Sequence, residues 1–138
     1  MSDDSYVEEV FMPPGGRDFK KILVIDDITY VVKSISRILR NSGYFVITAM
    51  TGKEAIEKFV RYQPDLVTVD QKLPDMSGLK LVESIRTLEG GDLVKVIFIS
   101  AVQEKEEIRS ILATGVDNYL LKPFRKDILV QAVKKLIG

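Results

Sequence analysis

From Lys20 onward the chain alternates two hydrophobic rhythms. Runs that are apolar at nearly every position predict five strands: KILVI at 21–25, YFVITA at 44–49, DLVTV at 65–69, VKVIFIS at 94–100 and NYLL at 118–121. They are rich in Val and Ile and mostly apolar on both faces, as strands buried inside a parallel sheet are. Between them, apolar residues recur three and four apart. The sets are Ile28, Val31, Val32, Ile35 and Leu39; Ala55, Ile56, Phe59 and Val60; Leu79, Val82 and Ile85; Ile108, Ile111 and Leu112; and Leu129, Ala132, Val133 and Leu136. Each makes one stripe, so each predicts a helix with one face on the sheet.

The punctuation agrees. Thr51 is placed to cap the second helix, with Glu54 as its capping-box partner. Gly43 and Gly115 follow helical stretches where a C-terminal cap belongs. Five consecutive β-α units imply an α/β domain, a doubly wound parallel sheet with right-handed crossovers and helices on both faces. No repeat or second domain is visible, so residues 20–138 are expected to form one domain. Residues 1–19, with MPPGG inside, are expected to be a flexible acidic extension. Its YVEEVF segment at 6–11 has an apolar component, which leaves docking on the body as the alternative.

Composition narrows the chemistry more than the fold. The chain of 138 residues has 20 basic and 20 acidic side chains and no cysteine or histidine. Residues 1–19 hold Asp3, Asp4, Glu8, Glu9 and Asp18 against Arg17, which leaves a mildly basic body with 19 basic and 15 acidic residues. That excess is too small and scattered to imply nucleic-acid binding. Without cysteine there are no disulfides, thiol nucleophiles or zinc-thiolate sites. Without histidine there is no Ser–His–Asp triad, no imidazole metal ligand and no phosphohistidine on this chain. Reactive groups must come from Asp, Glu, Lys, Ser, Thr or Tyr. No signal-peptide pattern or membrane-length apolar run is present, so a cytoplasmic location is expected.

Sites in open α/β folds lie beyond the carboxyl ends of the strands. Here the first predicted strand ends in Asp26–Asp27, the third in Asp70, the fourth in Ser100–Ala101, and the fifth is followed by Lys122–Pro123. Each has an ordinary reading when taken alone. A carboxylate after a strand commonly caps a turn, adjacent acids are commonly solvated, Ser100 can bond its own backbone, and Tyr119 is by default a packing residue. Together they place three carboxylates, a hydroxyl and an ammonium on one edge of the sheet, which predicts a shared polar cleft.

The stretches ILVIDD (22–27), LVTVDQKLPDMSG (66–78), IFISA (97–101) and DNYLLKPF (117–124) carry a resemblance. Over about residues 20–138 the chain resembles the receiver domain of two-component response regulators, of the chemotaxis-receiver type. The resemblance implies a flavodoxin-like (βα)5 fold with strand order 2-1-3-4-5, the order known for chemotaxis receivers. It implies Asp70 as phosphoacceptor, forming an aspartyl-phosphate. Mg2+ would be held by Asp26, Asp27, Asp70 and the backbone carbonyl of Lys72. Lys122 would pair with the phosphoryl oxygens, Ser100 would donate to them, Tyr119 would be the aromatic switch residue, and the Lys122–Pro123 peptide would be cis.

These roles make physical sense. Two carboxylates about 4 Å apart repel by roughly 4 kcal/mol at an effective dielectric near 20, and a divalent cation relieves that repulsion. Small Ala101 beside Ser100 leaves room for the incoming group. Leu73, Lys72 and Val102 depart from the commonest family pattern. Leu73 leaves the chemistry untouched, while Lys72 and Val102 sit where receivers tune their dephosphorylation.

The resemblance also implies a phosphoprotein switch rather than an enzyme. It would take phosphate from a sensor histidine kinase or histidine phosphotransfer protein and signal to a downstream protein through the surface of the fourth helix, fifth strand and fifth helix. It would act as a monomer or weak dimer, with no nucleic acid or membrane partner. A relay intermediate that passes phosphate to a histidine phosphotransfer protein is one alternative, and a phosphorylation-independent binding module is another. Haloacid-dehalogenase-type phosphatases use a similar residue set, but their nucleophile follows the first strand, with a second Asp two residues later. Here Asp26 and Asp27 are adjacent and residue 28 is Ile.

Overall fold

In the computed structural model, which describes residues 10–11 and 19–138, all five predicted strands form. They are β2 (Lys21–Ile25), β3 (Phe45–Ala49), β4 (Leu66–Val69), β5 (Lys95–Ser100) and β6 (Asn118–Leu121). Between and after them lie α1 (Thr29–Asn41), α2 (Gly52–Tyr62), α3 (Gly78–Arg86), α4 (Lys105–Leu112) and α5 (Lys126–Ile137). The five strands pair in parallel in the order β3-β2-β4-β5-β6, which is the expected 2-1-3-4-5 arrangement.

A sixth strand was not expected. β1 (Val10–Phe11) lies antiparallel against the outer edge of β3, with Val10 opposite Ile47 and Phe11 opposite Val46. An edge strand presents unpaired backbone donors and acceptors, and a short extended segment satisfies some of them. The expectation of a wholly flexible extension is therefore corrected at these two residues. The rest of residues 1–18 lies outside the described part.

Strand alternation splits the core into two layers. Ile22, Val24, Leu66, Ile97 and Ile99 meet Val32, Ile35 and Leu39 of α1 and Leu129, Ala132 and Val133 of α5. Leu23, Ile25, Val67, Val69, Val96 and Phe98 meet Ala55 and Phe59 of α2, Leu81, Val82 and Ile85 of α3, and Ile111 of α4. The predicted stripes bend at four positions. Ile28 is half exposed, because it precedes α1 as an extended cap residue whose N–H donates to Asp26 Oδ1 at 2.9 Å. Val60 and Leu112 face outward, and Leu81 takes the buried place expected of Leu79. Period counting fixes a helix face only to within about one residue, so its edges are the first part to miss.

The caps follow the expected chemistry with one difference. Thr51 Oγ1 accepts from the Glu54 N–H at 3.0 Å, while the Glu54 carboxylate accepts from the Met50 N–H at 2.7 Å instead of the Thr51 N–H. Gly43 and Gly115 adopt φ of 93° and 83°, the left-handed conformation that suits glycine after a helix.

Candidate functional site

The central ladders carry two acids past the strand ends. Asp26 N–H donates to the Ala49 carbonyl at 3.2 Å, and Asp70 N–H donates to the Ile25 carbonyl at 3.1 Å. Asp26 and Asp70 are buried, and Asp27 is exposed at the rim. One carboxylate oxygen from each lies within 4.8 Å of the other two. Lys122 follows β6, where its N–H donates to the Ser100 carbonyl at 2.8 Å and its peptide to Pro123 is cis. Its Nζ donates to Asp26 Oδ2 at 2.7 Å and Asp70 Oδ2 at 3.2 Å.

Burial and charge act on this cluster in opposite senses. Burial raises the Asp26 carboxyl above its ordinary value, and the like charge of Asp70 adds to that. The bonds from Lys122 and the Ile28 N–H offset only part of it. At Lys122 burial works to lower the ammonium, but the bond and charge of Asp26 and the charge of Asp70 outweigh it, so the group is held above the usual lysine value. One ammonium, bonded to two of three carboxylates, leaves the cluster with excess negative charge. The donor set is hard oxygen, and Mg2+ prefers a few carboxylates completed by water and phosphate oxygens. The residues present therefore fit that ion.

A cavity of about 360 Å³ opens over the cluster, lined by Asp27, Asp70, Lys72, Ser100, Ala101, Val102 and Lys122. A larger cavity of about 600 Å³ adjoins it, sharing Val31, Ala101 and Lys122 and extending along Tyr30, Ile38 and Phe124. That cavity contains none of the acids, so the chemistry belongs to the smaller one. Ser100, buried at the end of β5, accepts from the Val102 N–H at 3.3 Å. Tyr119 donates its hydroxyl to the Val102 carbonyl at 2.7 Å, and its ring lies parallel to Phe98 at a centroid distance of 6.2 Å. Burial raises this phenol against the pull of the Ser100 hydroxyl, and the charges of Glu107 and Asp70 add to the rise. The Tyr119 ring is half-buried, with Phe98 beside it.

All the residues named from the sequence lie on one edge of the sheet, with Asp27 and Lys72 at the rim. Three supporting residues escaped that reading. Asp75 reaches across the chain to accept from the Gly52 and Lys53 N–H groups at 2.8 and 2.9 Å, and those donors hold its carboxyl below the ordinary value. Gly78 packs against the site backbone, where a Cβ would stand 2.3 Å from the Asp70 carbonyl oxygen. Gln71 is buried next to Asp70 and bonded to Leu79 and Glu107. Their types carried a faint signal at most. Asx residues cap helices and Gly permits close approach, but spacing along one chain does not say across which gap.

Comparison with known proteins agrees with this geometry. Residues 22–134 match the family model of the response regulator receiver domain. The chain is 39% identical over 120 residues to the chemotaxis protein CheY of Treponema pallidum, which covers 84% of this chain and 81% of that protein. It is similar to the chemotaxis response regulator CheY4 of Vibrio cholerae, with a TM-score of 0.80 and 25% identity over 86% of this chain and 99% of that one. It is also similar to a chain of the CheX–CheY–BeF3–Mg2+ complex from Borrelia burgdorferi, with a TM-score of 0.79 and 28% identity over 91% of this chain and 93% of that one. No described helix is long and apolar enough to cross a membrane.

Proposed function

This chain belongs to the response regulator receiver domain family, and we propose that it is a phosphorylation switch whose acceptor is Asp70. Receivers of this kind are signalling switches rather than classical enzymes. The observation that carries the reading is the cluster itself: Asp26, Asp27 and Asp70 gathered within 4.8 Å, with Lys122 bonded to two of them.

An Asp70 carboxylate oxygen attacks the phosphorus of a phosphohistidine on a sensor kinase or histidine phosphotransfer protein. The P–N bond breaks, and the imidazole nitrogen keeps the electron pair and takes a proton. Asp26, Asp27, Asp70 and the Lys72 carbonyl would hold Mg2+, which supplies positive charge to the transferred phosphoryl oxygens. Phosphoryl transfer depends on such positioning and neutralisation more than on covalent assistance. Lys122 keeps the acceptor oriented and then pairs with the new oxygens. The Ser100 hydroxyl donates its proton to one of them.

As Ser100 moves toward the phosphoryl group, its bond to the Val102 N–H loosens, and the Tyr119–Val102 contact adjusts with it. The face formed by α4, β6 and α5 then changes, where Leu112, Leu121 and Ile128 are exposed apolar positions. Its target is a downstream protein, as the pairing of CheY with CheX in the Borrelia complex illustrates for a relative. Residues 20–138 form the receiver, and residues 1–19 an extension to it.

Intact-mass spectrometry after incubation with a small phosphodonor and Mg2+ tests this directly. The wild type gains one labile phosphoryl group only with Mg2+, and Asp70→Asn gains none. Absence of any gain in the wild type would reduce the protein to a phosphorylation-independent binding module.

A further inference from the structure

Gln71 follows the acceptor Asp70 directly, yet its buried side chain does not line the cleft over the acids and reaches instead to Glu107 of α4. Its Oε1 accepts from the Leu79 N–H at 2.9 Å, and its Nε2 donates to Glu107 Oε2 at 3.1 Å. The amide orientation is forced, since an N–H only donates and an ionised carboxylate only accepts. The Gln71 carbonyl meanwhile accepts from the Gly78 N–H at 2.8 Å. The residue is therefore fixed to the start of α3 by two bonds and reaches α4 with a third.

α4 has few other holds. Of its eight residues Ile111 alone is buried, and its N-cap Glu104 makes no side-chain cap bond. Glu107 lies in its first turn, where a carboxylate also suits the helix dipole. The same carboxylate bears on the Tyr119 hydroxyl. A line of bonds runs from Asp70 through Gln71 to α4, and the Glu107 charge there acts on the Tyr119 hydroxyl that donates to the Val102 carbonyl.

We propose that Gln71 is a positioning residue, a latch whose bond to Glu107 couples the backbone of the phosphoacceptor to the placement of α4. This position demands a side chain that accepts at one end and donates at the other with glutamine's reach. A glutamate there would face Glu107 with like charge. The coupling half of the proposal rests on Asp70 being the phosphoacceptor, whereas the anchoring half stands without it.

Hydrogen exchange of residues 103–114, read by mass spectrometry on full-length protein, tests both halves. In unphosphorylated Q71E, α4 amides exchange about five- to thirty-fold faster than in wild type, while α2 and α5 stay within about twofold. In Q71E/E107Q the donor and acceptor are swapped and total charge is restored, so protection returns to within about threefold of wild type. Equal α4 exchange in Q71E and wild type, or no recovery in the double variant, overturns the latch. Should Q71E exchange faster everywhere, E107A leaves the surroundings of Asp70 intact and must show the α4-confined increase.

With phosphorylation verified by intact mass, α4 exchange changes in wild type and Q71E/E107Q but gains nothing further in Q71E. A full phosphorylation response in Q71E overturns the coupling. A wild type that takes up no phosphoryl group overturns the proposed function instead, and the unphosphorylated comparison still decides the anchoring.

Discussion

α4 is held to the sheet very differently from the helices around it. α1 buries Val32, Ile35, Ser36 and Leu39, and α5 buries Leu129, Ala132 and Val133. On the opposite face α2 buries Ala55 and Phe59 and α3 buries Leu81, Val82 and Ile85, but α4 buries Ile111 alone, and the neighbouring edge strand β6 buries only Leu120. Asp26 and Asp70 extend from β2 and β4 at the sheet centre, and Ser100 and Tyr119 belong to β5 and β6 beside α4. The reacting groups thus rest on the most deeply packed strands, while the groups that would report their state adjoin the thinnest packing. Segments that move are drawn from the less stable end of a fold.

Paired truncations break or sharpen this contrast most strongly. Leu39→Ala is expected to cost about 2–5 kcal/mol in global stability, as a fully buried leucine does when it leaves a cavity. Ile111→Ala removes a residue equally buried but on a helix with little else to lose. Denaturant melts should show a smaller global loss for it, while hydrogen exchange shows a rise confined to α4. Equal global losses would mean that α4 is as cooperative with the core as α1.

The central cluster provides the next largest effect. Mg2+ at a hundredfold its Kd should add about 2.7 kcal/mol of stability to the wild type. Asp26→Asn should melt a few degrees higher than the wild type without Mg2+ and respond less to the ion. The sign follows from burial. A carboxyl raised in the folded state favours folding below its unfolded value of 3.8, and that benefit is lost as pH rises through the folded value. At neutral pH the ionised group therefore opposes folding, and a neutral replacement relieves it. Lys122 follows the same sign in a higher window: its contribution is complete below 10.5 and is lost as pH climbs past its raised folded value, so at neutral pH it supports folding. Thermal melts from pH 3 to 11 with and without Mg2+ check both signs.

The smallest effect expected is at the start of α2, a well-packed helix. Thr51→Ala should cost about 1 kcal/mol through the lost cap of α2. Phosphoryl uptake measured by intact mass should stay unchanged.

The legibility of the chain follows the same division between local and remote causes. Strands such as KILVI and FVITA were legible because a buried strand needs apolar side chains on both faces, whereas NYLL matched in its bounds although it buries only Leu120. Asp26, Asp70, Ser100 and Lys122 were legible because polar residues at strand ends interrupt that pattern in a fixed order. Ile28 looked like part of the α1 stripe, but the Asp26 side chain holds its N–H before the helix begins. The pairing of Val10–Phe11 with β3, the reach of Asp75 to α2 and the Gln71–Glu107 bond all join segments distant in sequence. Periodicity assigns a residue to a face of its own element and says nothing about which partner arrives there.

Gly78 carries a consequence for any attempt to rebuild this site elsewhere. Its backbone conformation is open to other residues, but the volume its Cβ would occupy belongs to the carbonyl of Asp70. A designer who transplanted every acid, the serine and the lysine onto another scaffold, and placed alanine at the start of the following helix, would push Asp70 out of line with its own partners. The blueprint includes a missing atom, and Asp70 stays in register because one neighbour contributes nothing.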